Sequence, residues 1–164
     1  MSDDVGDDSA GQTVPTLFEW AGGDAAIRRL IDAFYDRVEA DDLLSPFFPG
    51  GVSVEHRDHV SLWWGEVFGG PAEYTKQLGG YERMLAHHRG LGITGAQRLR
   101  FATTMSQAAD DAQLPDDPEF RAALVSYLEW GTRLALANSQ ADARPALHAP
   151  VPRWGWGVAP PYLP

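Results

Sequence analysis

The strongest constraint on the fold is the helical spacing of apolar residues, which continues from about Pro15 to Asn138. The clearest stretch follows Gly22-Gly23-Asp24, with apolar residues at i, i+3, i+4, i+7 and i+11: Ile27, Leu30, Ile31, Phe34 and Val38. This spacing places all of them on one face of a helix. No alternating strand pattern competes with it. The sequence therefore predicts an all-α fold.

Capping residues and helix breakers divide this region into separate helices. Ser53 can cap a helix that Gly69-Gly70 ends. Thr94 and Gln97 have the spacing of a capping box, which predicts the start of a long helix. Asp117-Pro118 has the composition of a helix start and opens the last one.

Composition divides the chain into three parts. Residues 1–13 are rich in aspartate and are expected to form a disordered acidic leader. Residues 14–139 are expected to form the helical domain. Residues 140–164 form a Pro/Trp-rich C-terminal extension, in which Trp154 and Trp156 are expected to pack on the domain itself or on a partner.

Charge and cysteine content exclude several classes of function. A formal net charge of −10 at pH 7 argues against nucleic acid and anionic membranes as partners. The absence of cysteine excludes thiolate metal sites, a catalytic thiol and covalently attached haem. No apolar run reaches the ~20 residues of a membrane span. With no secretory signal evident at the acidic N-terminus, we expect a cytoplasmic protein.

Two adjacent histidines, His87 and His88, lie in the segment ERMLAHHRGLGIT. Neighbouring positions on a helix point about 100° apart, so the two rings cannot face the same target. The apolar stripe of this segment is Tyr81, Met84, Leu85 and His88, at i, i+3, i+4 and i+7. We therefore expect His88 to point inward and His87 to face solvent or the rim of a pocket.

A second inward histidine is predicted on another helix. His56, Val60, Trp63 and Val67 form a stripe at i, i+4, i+7 and i+11. Two such histidines among bulky apolar residues favour a flat apolar ligand with a central metal, as in haem, where one imidazole binds iron and the other stands over the opposite face. The alternatives are ordinary core histidines, or a bare metal pair of His56 and His59, for which further ligands are not evident.

Several motifs in this order resemble the truncated haemoglobins, with group II as the nearest group. The motifs are F-Y in the first long helix, P-F-F-P after it, F-G-G-P after the two tryptophans, and H-x-x-L-x-I-x-x-A-x-R-x-R-F from His88 to Phe101. The resemblance extends from about Thr16 to Asn138. It implies a shortened globin, a two-over-two helical sandwich around non-covalent haem b.

The resemblance implies roles for individual residues. His88 is the expected proximal iron ligand, and Tyr35 and His56 are the expected catalytic groups on the distal side. The other haem-contacting candidates are apolar: Phe34, Phe48, Val60, Met84 and Phe101.

Three positions depart from the usual group II pattern. Phe101 stands where the group commonly has tryptophan, so a hydrogen-bond donor is missing. His56 stands where the residue is often small and apolar. His87 stands where an arginine often reaches a haem propionate, so Arg83, Arg89 and His87 are the candidates for that contact.

These residues predict a protein that binds dioxygen, nitric oxide or carbon monoxide. Tyr35 O–H and His56 N–H can donate to a partly negative dioxygen ligand, and each such bond contributes roughly 1.5–3 kcal/mol. That is about a tenfold to hundredfold slower release per bond. Slow release favours chemistry on the ligand, such as nitric oxide dioxygenation, over transport.

The sequence also leaves alternatives open. A peroxidase-like enzyme would use His56 as an acid–base group. Both activities need an external electron donor, since no G-x-G-x-x-G fingerprint is present. His56 binding the iron itself, a haem-free helical interaction module and homo-oligomer formation also remain open.

Overall fold

A computed structural model describes residues 13–161, and every regular element within them is helical. The seven α-helices are α1 (Leu17–Ala21), α2 (Gly23–Glu39), α3 (Val54–Val67), α4 (Glu73–Leu78), α5 (Tyr81–His88), α6 (Gly95–Asp111) and α7 (Pro118–Asn138). A single 3₁₀ turn, Ser45–Phe47, connects α2 towards α3. The predicted all-α class is confirmed. Residues 1–12, nearly all of the predicted acidic leader, lie outside the described residues.

The helix starts follow from local sequence signals. Ser53 Oγ accepts the backbone N–H of His56 at 3.1 Å, at the start of α3. Thr94 and Gln97 form the expected capping box: Thr94 Oγ1 accepts from Gln97 N at 3.1 Å, and Gln97 Oε1 accepts from Thr94 N at 2.9 Å. Each cap satisfies backbone donors that have no partner within the helix.

Helix α2 lies at the centre of the packing. It packs against both α3 and α6, and α6 packs against α7. The five residues of its predicted apolar stripe are all buried. Two helix pairs, α2 with α3 and α6 with α7, are thereby joined through α2 and α6, and the shorter α5 rests on α7. Among the described helices, none is long and apolar enough to cross a membrane.

The described part of the C-terminal extension lies against the helical domain. The backbone N–H of Trp154 donates to Val67 O, at the end of α3, at 2.6 Å. Trp156 Nε1 donates to Pro15 O at 2.8 Å, and its ring meets that of Trp20 edge-on at 5.7 Å. The two tryptophans therefore attach the extension to α3 and α1.

Asp117 links the two ends of the domain, and its removal is expected to destabilise the fold. One carboxylate oxygen accepts from Phe120 N at 3.0 Å and caps α7, while the other accepts from Trp20 Nε1 at 2.9 Å. Losing the cap costs about 1 kcal/mol and losing the second bond about another 1 kcal/mol. Asp117→Ala should therefore lower the free energy of unfolding by about 2 kcal/mol, measured by urea denaturation.

The neighbouring acidic residue provides the control. Asp116 is exposed, so Asp116→Ala should change the free energy of unfolding by less than about 0.5 kcal/mol. Equal effects of the two variants would show that Asp117 contributes through its charge alone.

Candidate haem site

A cavity of about 460 Å³ lies among the helices that carry the two predicted inward histidines. Pockets that bury small organic ligands have volumes of roughly 300–1,000 Å³. Its walls are mainly apolar and aromatic side chains. Eight predicted site residues line it: Tyr35, Phe48, His56, Val60, Met84, His87, His88 and Phe101.

Three predicted residues lie elsewhere. Phe34 is buried behind the wall, where its ring packs on that of Phe101 at 4.6 Å. Arg83 is exposed and donates through Nε to His87 Nε2 at 3.3 Å. Arg89 lines a separate, smaller cavity of about 170 Å³.

His88 is the last residue of α5, and its ring is oriented by its own helix. Its Nδ1 lies 3.0 Å from the Met84 carbonyl oxygen, which can only accept a hydrogen bond. The ring proton is therefore on Nδ1, and Nε2 has a free lone pair. Burial lowers the pKa of His88, so the ring is neutral near pH 7. A neutral imidazole whose second nitrogen donates to a carbonyl is the usual form of a metal-ligating histidine.

Tyr35 on α2 and His56 on α3 meet through a direct hydrogen bond. The Tyr35 hydroxyl lies 3.0 Å from His56 Nε2. Burial raises the pKa of Tyr35, so it remains a phenol, and burial lowers the pKa of His56, so it is neutral near pH 7. One hydrogen atom therefore lies between the Tyr35 oxygen and His56 Nε2. When that hydrogen belongs to His56 Nε2, the hydroxyl hydrogen of Tyr35 is free to point into the cavity.

Aromatic packing holds this pair in place. The Phe48 ring lies 5.5 Å from that of Tyr35 and 5.3 Å from that of His56, and the Phe34 ring lies 4.9 Å from that of Tyr35. Two of these contacts are edge-to-face and the one between Phe48 and His56 is tilted, and aromatic contacts at these separations are favourable. The orientation of the two polar groups is thus fixed by apolar neighbours, one from α2 and one that directly follows the 3₁₀ turn.

His87 lies on the rim of the cavity. It is exposed, yet its ring centroid is 6.4 Å from that of His56 and it belongs to the cavity lining. Its bond with Arg83 brings a guanidinium to the same rim. His59, which the sequence suggested only as half of a bare metal pair with His56, also lines the cavity. Among residues 13–161, no group of three or more histidine, aspartate and glutamate side chains could hold a bare metal ion.

Sequence reasoning missed a set of large aromatics and one cation in the walls. Trp63 Nε1 donates to the Tyr127 hydroxyl at 2.9 Å, and Trp130 also lines the cavity. Trp63 lay on the same predicted stripe as His56, and that signal could have placed it here. Arg98 lines the cavity while donating to Thr132 Oγ1 at 3.1 Å, a contact for which the sequence carried no signal.

The buried histidines make the stability of the haem-free protein depend on pH. In the unfolded chain a histidine binds a proton near pH 6.5, whereas in the fold His56 and His88 bind it only at lower pH. Below about pH 6.5 the unfolded chain therefore binds more protons, and stability falls as the pH falls.

Urea denaturation at about pH 7 and about pH 5.5 measures this fall. His56→Gln should make the fall smaller, because it removes one of the three histidines, His56, His87 and His88, whose pKa is lowered by burial. His148→Gln, a change at a histidine that is 89% exposed, should leave it unchanged. A pH dependence identical in all three proteins would refute the assignment.

Comparison with known proteins gives the same family throughout. The model of the bacterial-like globin family matches residues 16–131. The group 2 truncated haemoglobin YjbI of Bacillus subtilis is 29% identical over 134 residues, covering 82% of this chain and 98% of that protein. The group 1 truncated haemoglobin GlbN of Nostoc sp. (strain MUN 8820) is 33% identical over 78 residues, 48% of this chain, and the match spans only 62% of that relative's length.

A solved structure supports the architecture. The truncated oxygen-avid haemoglobin from Bacillus subtilis superposes with a TM-score of 0.66 at 27% sequence identity, and the match covers 74% of this chain and 99% of that chain. The predicted two-over-two globin fold is confirmed.

The residues present fit a haem. The cavity is apolar and large enough for a planar ligand, and His88 presents a neutral nitrogen with a free lone pair to a metal. The chain belongs to the bacterial-like globin family, as a truncated haemoglobin close to group II whose cofactor is haem b.

Proposed function

We propose that this truncated haemoglobin binds dioxygen at a haem iron held by His88 and releases it slowly. The observation that carries the proposal is the hydrogen bond between Tyr35 and His56, 3.0 Å long, in the wall of the cavity that His88 also lines. The description of a structural relative as oxygen-avid supports the same function.

Ferrous haem supplies an iron atom at which a diatomic gas binds and gains partial negative charge. Tyr35 is the direct donor to that charge. Because its burial raises its pKa, it keeps its proton and can only act as a neutral donor. Its aromatic neighbours limit its movement, so the donor is oriented before the ligand arrives.

His56 acts through Tyr35. When its Nε2–H donates to the Tyr35 oxygen, the Tyr35 proton is directed away from His56 and is free for the ligand. The two donors then act in series, which differs from the sequence-based expectation that each bonds the ligand separately. His56 thus sets the direction of the Tyr35 proton.

Oxygen release measured by stopped flow tests the arrangement in series. His56→Leu removes one neutral hydrogen bond, worth about 0.5–1.5 kcal/mol, and should speed release about twofold to tenfold. His59→Leu is the matched control, because His59 belongs to the same helix and the same cavity wall but pairs with Glu55, at 3.9 Å. Equal off-rates for His56→Leu and the wild type would remove His56 from the proposal.

We propose that Arg83 and His87, at the rim of the cavity, would hold the haem propionates. The Arg83 guanidinium is anchored by His87 Nε2 and exposed to solvent, as an ion-pairing group for a carboxylate should be. Arg89 lies in the smaller cavity and is the less favoured partner.

A second candidate function is peroxide reduction. It is favoured by His56, which is neutral near pH 7 and hydrogen-bonded to Tyr35, so that it can accept and return a proton within the cavity. Both this activity and nitric oxide dioxygenation need electrons from a donor outside the chain. Hydrogen peroxide consumption by the haem-loaded protein, compared with that of His56→Leu, tests this candidate.

A further inference from the structure

The cavity reaches the protein surface beside Trp130 on α7. This side chain lines the cavity and is also 42% exposed. Trp154, from the C-terminal extension, lies next to it, with ring centroids 5.5 Å apart and planes tilted by 36°. Trp130 is thus an exposed indole at the edge of a ligand cavity, with a half-buried second indole beside it.

The pair is fixed in place. The backbone of Trp154 is tied to the end of α3 by its bond to Val67 O. The Tyr127 ring is close to both indoles, with its centroid 5.4 Å from that of Trp154 and 6.3 Å from that of Trp130. Three aromatic rings therefore form a continuous cluster from the cavity wall to solvent.

The chemistry of these rings differs. An indole can give one electron to a strong oxidant and hold the resulting positive charge, which a second aromatic ring stabilises by a cation–π interaction. Tyr127 is less suited, because losing an electron requires losing its proton. Its oxygen is the acceptor for Trp63 Nε1, and burial raises its pKa. The two indoles are thus better suited than Tyr127 to hold the oxidation, and Trp130 is the more exposed of the two.

We propose that Trp130, backed by Trp154, is a surface oxidation site at which phenols deliver single electrons to the haem cavity during peroxide reduction. The inference rests on the second candidate function above. A phenol ring can stack on the exposed indole. With a formal net charge of −10, the protein favours neutral donors over anionic ones.

The reaction balances as follows: one hydrogen peroxide and two phenols give two water molecules and two phenoxyl radicals. The O–O bond breaks as peroxide takes up two electrons and two protons. Each electron leaves Trp130 towards the cavity and is replaced from a phenol, whose O–H bond breaks as its proton goes to solvent. Because indoles yield electrons only to strong oxidants, this site serves peroxide reduction and not the reduction of ferric haem for oxygen binding.

Peptide mass spectrometry after peroxide treatment tests the site without relying on turnover. Haem-loaded protein treated with hydrogen peroxide in the absence of phenol should gain oxygen on Trp130 and Trp154. Haem-free protein treated in the same way should not. Trp20 is the internal control, because its indole is bonded to Asp117 and lies outside the cavity wall in the described structure.

A matched pair of variants tests the electron donor. In Trp130→Phe the oxidation of guaiacol by peroxide, expressed per bound haem as read from the Soret band, should fall several-fold. Trp20→Phe should match the wild type. Trp154→Phe should lie between them, because it leaves Trp130 in place without its stacked neighbour.

The outcomes separate this inference from the function on which it rests. If the haem-loaded protein consumes peroxide but Trp130 and Trp154 are oxidised equally with and without haem, the inference alone would be overturned. Unchanged guaiacol oxidation in haem-loaded Trp130→Phe would do the same. A haem-loaded wild type that consumes no peroxide would overturn the peroxidase candidate together with the inference, and would leave oxygen binding intact.

Discussion

Replacing His88 by alanine is expected to abolish haem retention, whereas replacing its neighbour His87 is expected to leave haem bound. His88 is neutral because burial lowers its pKa, and Nδ1 is engaged by the Met84 carbonyl, so Nε2 is oriented as a ligand without further rearrangement. His87 is exposed, and its Nε2 accepts from Arg83. Its loss removes only a rim contact.

The measurement is the haem content of each purified variant after incubation with haemin, followed by transfer of haem to an excess of apomyoglobin. His88→Ala should hold only traces of haem, and His87→Ala should lose haem faster than the wild type but start fully loaded. Because an unfolded variant would also lack haem, the helix content of His88→Ala should be checked by circular dichroism. Haem retained by a folded His88→Ala and lost by His87→Ala would contradict the assignment.

Tyr35→Phe is expected to speed oxygen release by about tenfold to hundredfold, since a hydrogen bond to a charged group contributes roughly 1.5–3 kcal/mol. The ring of Tyr35 stays in its aromatic cluster in this variant, so the packing against Phe34 and Phe48 is preserved. The effect should exceed that of His56→Leu, because Tyr35 is the direct donor and His56 only directs it.

Carbon monoxide provides the control for Tyr35→Phe. It gains less negative charge than dioxygen when bound, so its release should change much less. Stopped-flow displacement gives both rates on the same sample. An unchanged oxygen off-rate, or an equal increase for both gases, would show that Tyr35 acts by filling space and not by donating a hydrogen bond to the ligand.

The helices could be predicted from the sequence because the residues that specify them lie close together along the chain. The stripe from Ile27 to Val38 and the capping box of Thr94 and Gln97 each lie within a few turns of one helix. The choice of His88 over His87 also depended only on helical phase, and the structure places His88 on the cavity wall and His87 at its rim.

The polar contacts within the site could not be predicted in the same way, because they join residues that are far apart in the sequence. Tyr35 and His56 lie on different helices, and their shared proton follows from a 3.0 Å separation that no sequence pattern encodes. The bond between Trp63 and Tyr127 spans 64 positions. The place of Trp154 beside Trp130 depends on the path of a proline-rich segment, which has no periodicity to interpret.

The most direct test of the central claim is the absorption spectrum of the purified protein after addition of haemin, recorded in the ferric, ferrous and ferrous–carbonyl forms. We expect a sharp Soret band that shifts on reduction and shifts again with carbon monoxide. The ferrous spectrum should be that of five-coordinate haem iron, because His56 Nε2 is held by Tyr35 and is not free to bind the iron. A protein that takes up no haemin and gives a flat spectrum would contradict the haem site and leave a helical interaction module as the alternative.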